Sequence, residues 1–417
     1  MALRWRNPLF PSQRSRGEAA WLALDVGTEF VKAVLVTASP EGPVVAGTGR
    51  ARQEYGDMEA GAICNIAGVT RAAAQAVDEA AESAGRPLAV AGAVTGISGA
   101  FVKGIVIQVR AERRTPGRAL GWEELSQLVQ VGSREAREKA RRQLLQETNL
   151  SNLDIESLNA AVVEIKIDGH RVTDPLGFQG RTVDLTVFTA FAPLIHVGAL
   201  RSVVRNLGLP FLAAVAEPYA VAAAALTDEA CEFGTLVVDV GGGTTDIALI
   251  QKGGIAGTRM LPVGGRAFTR TIASALGIPL REAEERKLQV SRGGPASAED
   301  ERIGALLDQD LEIWRTGVGL ALDDLAGAEL LPGRVALCGG GSALAGLTEA
   351  MASLPALGQR PGTGSPEVVR LTAADLPWPL DPLGRLTGAQ GVTPKSLALA
   401  AAQIAGVAGH EYRRRAV

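Results

Sequence analysis

Residues Phe233–Ile250 read FGTLVVDVGGGTTDIALI. An apolar run meets an Asp, then three glycines and two threonines, then a second Asp and a second apolar run. That is the pattern of two strands joined by a tight turn. Three glycines inside a strand pair weaken a sheet unless something needs the space they leave. Consecutive glycine N–H groups with no Cβ beside them form a concavity suited to an anion.

The pattern recurs. Trp21–Val36 reads WLALDVGTEFVKAVLV, and Leu24-Asp25-Val26-Gly27-Thr28 lines up with Val238-Asp239-Val240-Gly241-Gly242, 214 residues later. A repeat at that distance predicts two related lobes, each opening with a β-hairpin. A third turn, Gly339-Gly340-Gly341-Ser342, follows the apolar run Leu331–Leu337. It is read as a strand-to-helix turn with the helix starting at Ala343.

These turns predict a phosphate site. Gly27 and Gly241–Gly243 would offer backbone N–H groups; Thr28, Thr244 and Thr245 would add hydroxyls. Asp25 and Asp239 would repel a phosphate directly, so a divalent metal between carboxylate and phosphate is the economical expectation. Mg²⁺ fits, because it keeps most of its waters. Lys32 would supply a point charge, and Gly339–Ser342 would let a base or sugar lie against bare backbone. Alone, the Asp25 turn is equally an ordinary hairpin, and the third turn reads first as an ordinary helix start.

The rest of the chain bounds the answer. Its 417 residues exceed one ordinary domain. A hydrophobic share of 47% excludes wholesale disorder, and a net charge of −3 excludes a general nucleic-acid binder. Cys64, Cys231 and Cys338 lie far apart, as do the three histidines. A disulfide framework is therefore excluded. No uncharged run reaches the ~20 residues of a spanning helix, and residues 1–17 lack the apolar core of a secretory signal, so the expected compartment is the cytoplasm. Those residues are basic and hold Trp5, Leu9 and Phe10, so they are a disordered leader or a weak membrane anchor.

The expected organisation is lobe 1 over 18–89 and 181–232, an inserted α+β module over 90–180, and lobe 2 over 233–265 and 331–409. A helical subdomain fills 266–330, and a basic tail spans 410–417.

The order of the three turns resembles the actin-like ATPase superfamily: sugar kinases, DnaK-type chaperones, MreB and FtsA. That resemblance implies an α/β fold of two ribonuclease H-like lobes around a nucleotide cleft, binding ATP or ADP with Mg²⁺. Within it the chain is most similar to the FtsA family from Trp21 to Gly409. Gly96–Gly99 and Ile167–Gly180 resemble the ends of the FtsA insert, an SHS2 module. Leu261-Pro262-Val263-Gly264-Gly265 with Phe268-Thr269 matches the stretch behind the second turn. Glu284 and Lys287 resemble the pair that approaches ribose and adenine, though such a spacing is also that of a surface pair.

The resemblance implies self-assembly, a tubulin-like FtsZ and other division proteins as partners, and a place at the cytoplasmic face of the division site. A PilM-like pilus adaptor is the alternative within the fold, and an ATPase or chaperone with productive turnover lies outside that class. Three departures stand out. Glu217 resembles the water-orienting Glu of chaperones and MreB, where FtsA usually has no acid; it is equally a helix-start acid placed by the macrodipole. With Asp246 it is the candidate catalytic carboxylate. Ala100-Phe101 replaces the usual Ser-His. The chain ends at Arg413–Val417 without the amphipathic helix that FtsA normally carries.

Overall fold

The computed structural model describes residues 19–148, 152–293, 297–327, 330–357 and 366–406. The leader (1–17), with its membrane-anchor reading, and the tail (410–417) lie outside the described residues.

The chain opens with a meander of β1 (Ala19–Val26), β2 (Phe30–Ala38) and β3 (Pro43–Arg52). A ribbon of β4 (Met58–Glu59) and β5 (Ala62–Ile63) leads into α1 (Ile66–Ala84) and then β6 (Ala89–Ile97). Asn65 caps α1 by accepting from the Gly68 N–H, and Gly85 ends it in the left-handed region at φ 66°. Such a cap contributes about 1 kcal/mol. Val69, Ala73, Ala76 and Ala80 form the buried face of α1. Gly47 and Gly49 let β3 press on it: an added Cβ would lie 2.1 Å from the Ala80 carbonyl oxygen and 2.0 Å from that of Ala76. Small residues on both partners bring strand and helix backbones into contact.

The module follows as β7 (Lys103–Glu112), α2 (Trp122–Thr148), β8 (Ile155–Ile167), β9 (His170–Arg171) and β10 (Thr182–Pro193). Its antiparallel sheet runs β7-β10-β8-β9, and Leu125, Val129, Ala136, Ala140 and Leu144 of α2 are buried against it. The chain returns to the first lobe through α3 (Leu194–Asn206), β11 (Phe211–Ala216), α4 (Glu217–Ala224) and α5 (Asp228–Phe233).

The second half holds β12 (Thr235–Val240), β13 (Thr245–Gln251) and β14 (Gly254–Leu261), then α6 (Gly265–Leu276), α7 (Leu280–Gly293) and α8 (Ala298–Ala326). It closes with β15 (Arg334–Cys338), α9 (Leu347–Ala352), β16 (Glu367–Arg370) and α10 (Val392–Ile404). The first large sheet runs β11-β6-β1-β2-β3, the second β16-β15-β12-β13-β14. In each, an antiparallel meander pairs through its first strand with a parallel strand and then a fifth. The internal repeat is thus a duplicated sheet.

Two helices cross between the halves. Leu397, Ala398 and Ala401 of α10 pack on Trp21, Ala23, Val34 and Val94 of the first sheet. Val221, Ala222 and Ala224 of α4 share a core with Val237, Ala248 and Ala336 of the second.

Three expectations are corrected. The module boundaries at 90 and 180 are both misplaced: the first falls inside β6, which pairs in parallel with β1 inside the first sheet, and the second leaves out β10, which pairs with β7 and β8 inside the module. A strand continues into whichever sheet hydrogen-bonds it, and the change of texture in the sequence does not mark that point. The span 331–409 is not wholly in the second lobe, because α10 covers the first sheet. Gly340–Ala343 is a single 3-10 turn, and a helix resumes only at Leu347, after Gly346 at φ 78°. Among the described residues no helix is long and apolar enough to cross a membrane.

Candidate functional site

The two hairpin turns face each other. The Gly27 N–H donates to the Phe30 carbonyl and the Gly241 N–H to that of Thr244, so both close in the same way. Their glycines are required by proximity. A Cβ on Gly243 would lie 2.4 Å from Thr28 Oγ1, and one on Gly242 would lie 2.6 Å from Glu29 Cγ. Gly339 has φ 82°, and a Cβ there would lie 2.0 Å from Asp239 Oδ1, which brings the third turn behind the second. Gly340 is different: nothing lies nearer to its Cβ direction than Gln390 at 4.0 Å.

Four carboxyls are buried around the turns: Asp25, Glu217, Asp239 and Asp246. Lys32 stands opposite Asp25 across β1 and β2, and its Nζ donates to Asp25 Oδ2 at 2.9 Å. Burial opposes the Lys32 charge, but Asp25, with Asp239 and Glu217 beyond, outweighs it and raises its pKa. Glu217, the first residue of α4, has its carboxyl pushed well above the ordinary range by burial and then by Asp25, Asp246 and Asp239. Asp246 is pushed well up by burial and by Asp239. Asp239 is raised by burial, partly offset by Thr393, whose hydroxyl donates to its Oδ2. Gly96 makes the room for Glu217: a Cβ there would lie 2.4 Å from Glu217 Oε1. The four carboxyls thus share one enclosure with one cation.

That donor set fits a hard divalent cation. Asp246 Oδ1 is buried with no hydrogen-bond partner among the described residues, an acceptor of the kind a cation or its waters would satisfy. Among the described residues no three His, Cys, Asp or Glu side chains gather tightly enough to hold a metal unaided. Waters and phosphate would complete such a shell, as Mg²⁺ prefers.

Other expected residues turn away. The Thr245 hydroxyl donates to the Val263 carbonyl at 2.7 Å and accepts from the Trp314 indole N–H at 2.9 Å. It is wholly buried and anchors β13 to α8, so it is no phosphate ligand. The Ser342 hydroxyl, also wholly buried, donates to the Gly339 carbonyl and closes its own turn. Lys287 is no surface pair: at 5% exposure it donates to the Gly265 carbonyl, Thr269 Oγ1 and Glu284 Oε2 at 2.8–2.9 Å. All three of its protons are thereby used. Cys338 is buried, with its thiol pushed well up by burial and by the nearby aspartates; it fills space in β15.

Sequence reasoning missed Thr393, Gly96 and Arg266. Thr393 and Gly96 carry no local signal, because each acts on a residue far along the chain. Arg266 carries one: a cation in the first turn of a helix opposes the macrodipole and needs a compensating contact.

A sequence profile of the family described as Cell division protein FtsA matches residues 236–378, which contain the second and third turns. The Cell division protein FtsA of Pseudomonas aeruginosa is 27% identical over 64% of this chain and 60% of its own. That of Enterococcus hirae is 23% identical over 79% of this chain and 75% of its own. The chain resembles FtsA. It spans 60–64% of the length of the Pseudomonas, Neisseria meningitidis and Bacillus subtilis FtsA proteins. Among solved structures, a chain of the PilM–PilN type IV pilus biogenesis complex superposes with a TM-score of 0.64 at 20% identity, over 93% of this chain and 99% of its own. The fold of this FtsA-like chain is accordingly actin-like, two lobes around a cleft with an inserted α+β module.

Proposed function

We propose that the chain is an ATP-binding, actin-like assembly protein of cell division. Like FtsA, it would polymerise and connect a ring of tubulin-like FtsZ to the membrane or to other division proteins. The observation that supports this most is the FtsA family match across 236–378, because it contains Asp239, Asp246 and Gly339–Ser342. In this reading the backbone N–H groups of Thr28 and Gly242–Thr244 receive the phosphates, while those of Gly27 and Gly241 close the two turns that present them. Asp25, Asp239 and Asp246 reach Mg²⁺, which would neutralise charge on the phosphate chain. Glu217 orients a water for slow hydrolysis. Burial and the neighbouring aspartates raise its pKa, which makes its carboxylate a stronger proton acceptor. Glu284 and Lys287 act one step back, fixing Gly265 and Thr269 at the wall of the cleft. Filament contacts are assigned to the inserted module.

The test is pelleting with purified FtsZ and with liposomes, with and without ATP. ATP-dependent recruitment of the chain to FtsZ polymers is the expected result; no association under any condition overturns it. The likeness in fold to a PilM–PilN chain favours a second reading, an adaptor in pilus assembly. Binding of purified PilN with indifference to FtsZ would decide for it.

A further inference from the structure

Arg266, the second residue of α6, is 5% exposed and reaches across the cleft. Its own N–H donates to the Gly242 carbonyl at 2.7 Å, which fixes its root on the second turn. Its guanidinium ends on the first lobe. Nε donates to Glu29 Oε1 at 2.6 Å, Nη2 to the Thr28 carbonyl at 2.7 Å and Nη1 to the Met58 carbonyl at 3.1 Å. The Tyr55 ring lies 4.9 Å from its central carbon. A fork that satisfies a carboxylate and two carbonyls at once is a charge-assisted, oriented contact. The contact also answers why a cation tolerates the positive end of a helix.

Two further pairs span the same gap: Arg270 with Glu59 at 2.9 Å, and Arg281 with Glu54 at 4.0 Å. All four of those side chains are more than half exposed, so each pair contributes little. The bridge therefore rests on Arg266. Its consequence is steric as well as electrostatic, because with the bridge made the two turns touch at Gly242–Glu29 and Gly243–Thr28. A phosphate chain entering between them has to compete with these contacts.

We propose that Arg266 is an autoinhibitory latch: it holds the lobes closed over the phosphate turns without nucleotide, and a nucleoside triphosphate must displace it to bind. The competitor is the phosphate chain, since its oxygens replace Glu29 and the Thr28 carbonyl as acceptors for the guanidinium. This rests on the nucleotide reading only for the identity of the competitor; the latch itself is a property of the free protein.

Two measurements on the full chain separate those claims. Amide hydrogen exchange of the nucleotide-free protein reads the latch. Arg266→Ala should speed exchange at residues 27–29 and 241–243 at least tenfold, and Arg266→Lys by less, because an ammonium cannot fork. Glu29→Gln removes the charge at the other end without touching α6, and should move exchange in the same direction if Arg266→Ala folds poorly. Stopped-flow association of a fluorescent ATP analogue reads the competitor, with a rate at least tenfold higher for Arg266→Ala than for the unaltered protein. Unchanged exchange in both Arg266→Ala and Glu29→Gln overturns the latch, as does slower association despite faster exchange. Faster exchange with no analogue binding to any variant upholds the latch and removes the nucleotide reading.

Discussion

The two hairpin turns are the same piece of backbone with opposite charge arithmetic. Asp25 pairs in register with Lys32 across the first, and Asp239 pairs in register with Asp246 across the second. At the position where the first lobe places an ammonium, the second places another carboxyl. The first turn is therefore close to neutral by itself, and the second is not. Like charges directly opposite in a sheet are unfavourable, so the second pair is tolerable only if protonated or if a cation arrives. The first turn thus balances its carboxyl with its own ammonium, and the second does not. Glu217, buried beside both, shares the excess.

The largest expected effect tests what that excess is for. Glu217→Gln keeps the shape of the side chain but loses the base. If Glu217 orients the attacking water, ATP turnover falls by about 10²–10⁴ while ATP affinity barely moves. Single-turnover kinetics and calorimetric titration give the two numbers. If the unaltered protein has no turnover, or the variant keeps it, Glu217 is only a helix-start acid.

The next test breaks the two turns in parallel. Lys32→Met strands the buried Asp25 carboxylate and should lower stability by about 3 kcal/mol. Thr393→Val removes a hydroxyl from Asp239 and should cost about 1 kcal/mol. Urea denaturation of both variants without nucleotide checks the ratio. Equal losses would mean that the turns do not differ in how they hold their charge.

Part of this comparison was legible in the sequence. Asp25 and Lys32, like Asp239 and Asp246, are seven residues apart around a Gly turn, so the hairpins are legible from spacing; that Lys32 is spent on Asp25 and not held free for a phosphate is not. Which hydroxyls face the cleft is not legible either. Thr244 and Thr245 are adjacent, and only their contacts show that the Thr245 hydroxyl is spent on Val263 and Trp314 while that of Thr244 donates to Asp246 Oδ2 at 3.5 Å. The module boundary was lost for a similar reason. β6 and β10 are both apolar strands, and nothing local says which sheet will pair with them. Arg266 was lost because a Gly-Gly-Arg run looks like an ordinary helix start until its partners, 237 and 238 residues away, are known.

A smaller effect is expected for the nucleotide. Gly340→Val projects a branched side chain into open space at the third turn, with no neighbour to disturb. Asp239→Ala removes the carboxyl that the second turn holds. Each should weaken ATP binding at least tenfold, ~1.4 kcal/mol, but only Asp239→Ala should also reduce its Mg²⁺ dependence. Titration with and without Mg²⁺ distinguishes them; unaltered affinity in both variants would remove the cleft from consideration.

The smallest effect concerns pH and tests the excess charge directly. The Asp246 carboxyl is raised well above its ordinary range by burial and by Asp239. As pH rises past the ordinary carboxyl value near ~4, the unfolded chain releases this proton first and the folded chain keeps it. The unfolded state then binds fewer protons, so stability falls with rising pH until the folded carboxyl also ionises. Asp246→Asn removes this slope. The variant should therefore be more stable than the unaltered protein at pH 7, by about 1 kcal/mol, and no more stable near pH 4. Added Mg²⁺ should raise the melting temperature of the unaltered protein at pH 7 and leave that of Asp246→Asn nearly unmoved, because the ion supplies the charge that the first turn already has in Lys32. Parallel melting curves at both pH values would show that Asp246 carries no such proton, and the contrast between the turns would then reduce to Lys32 alone.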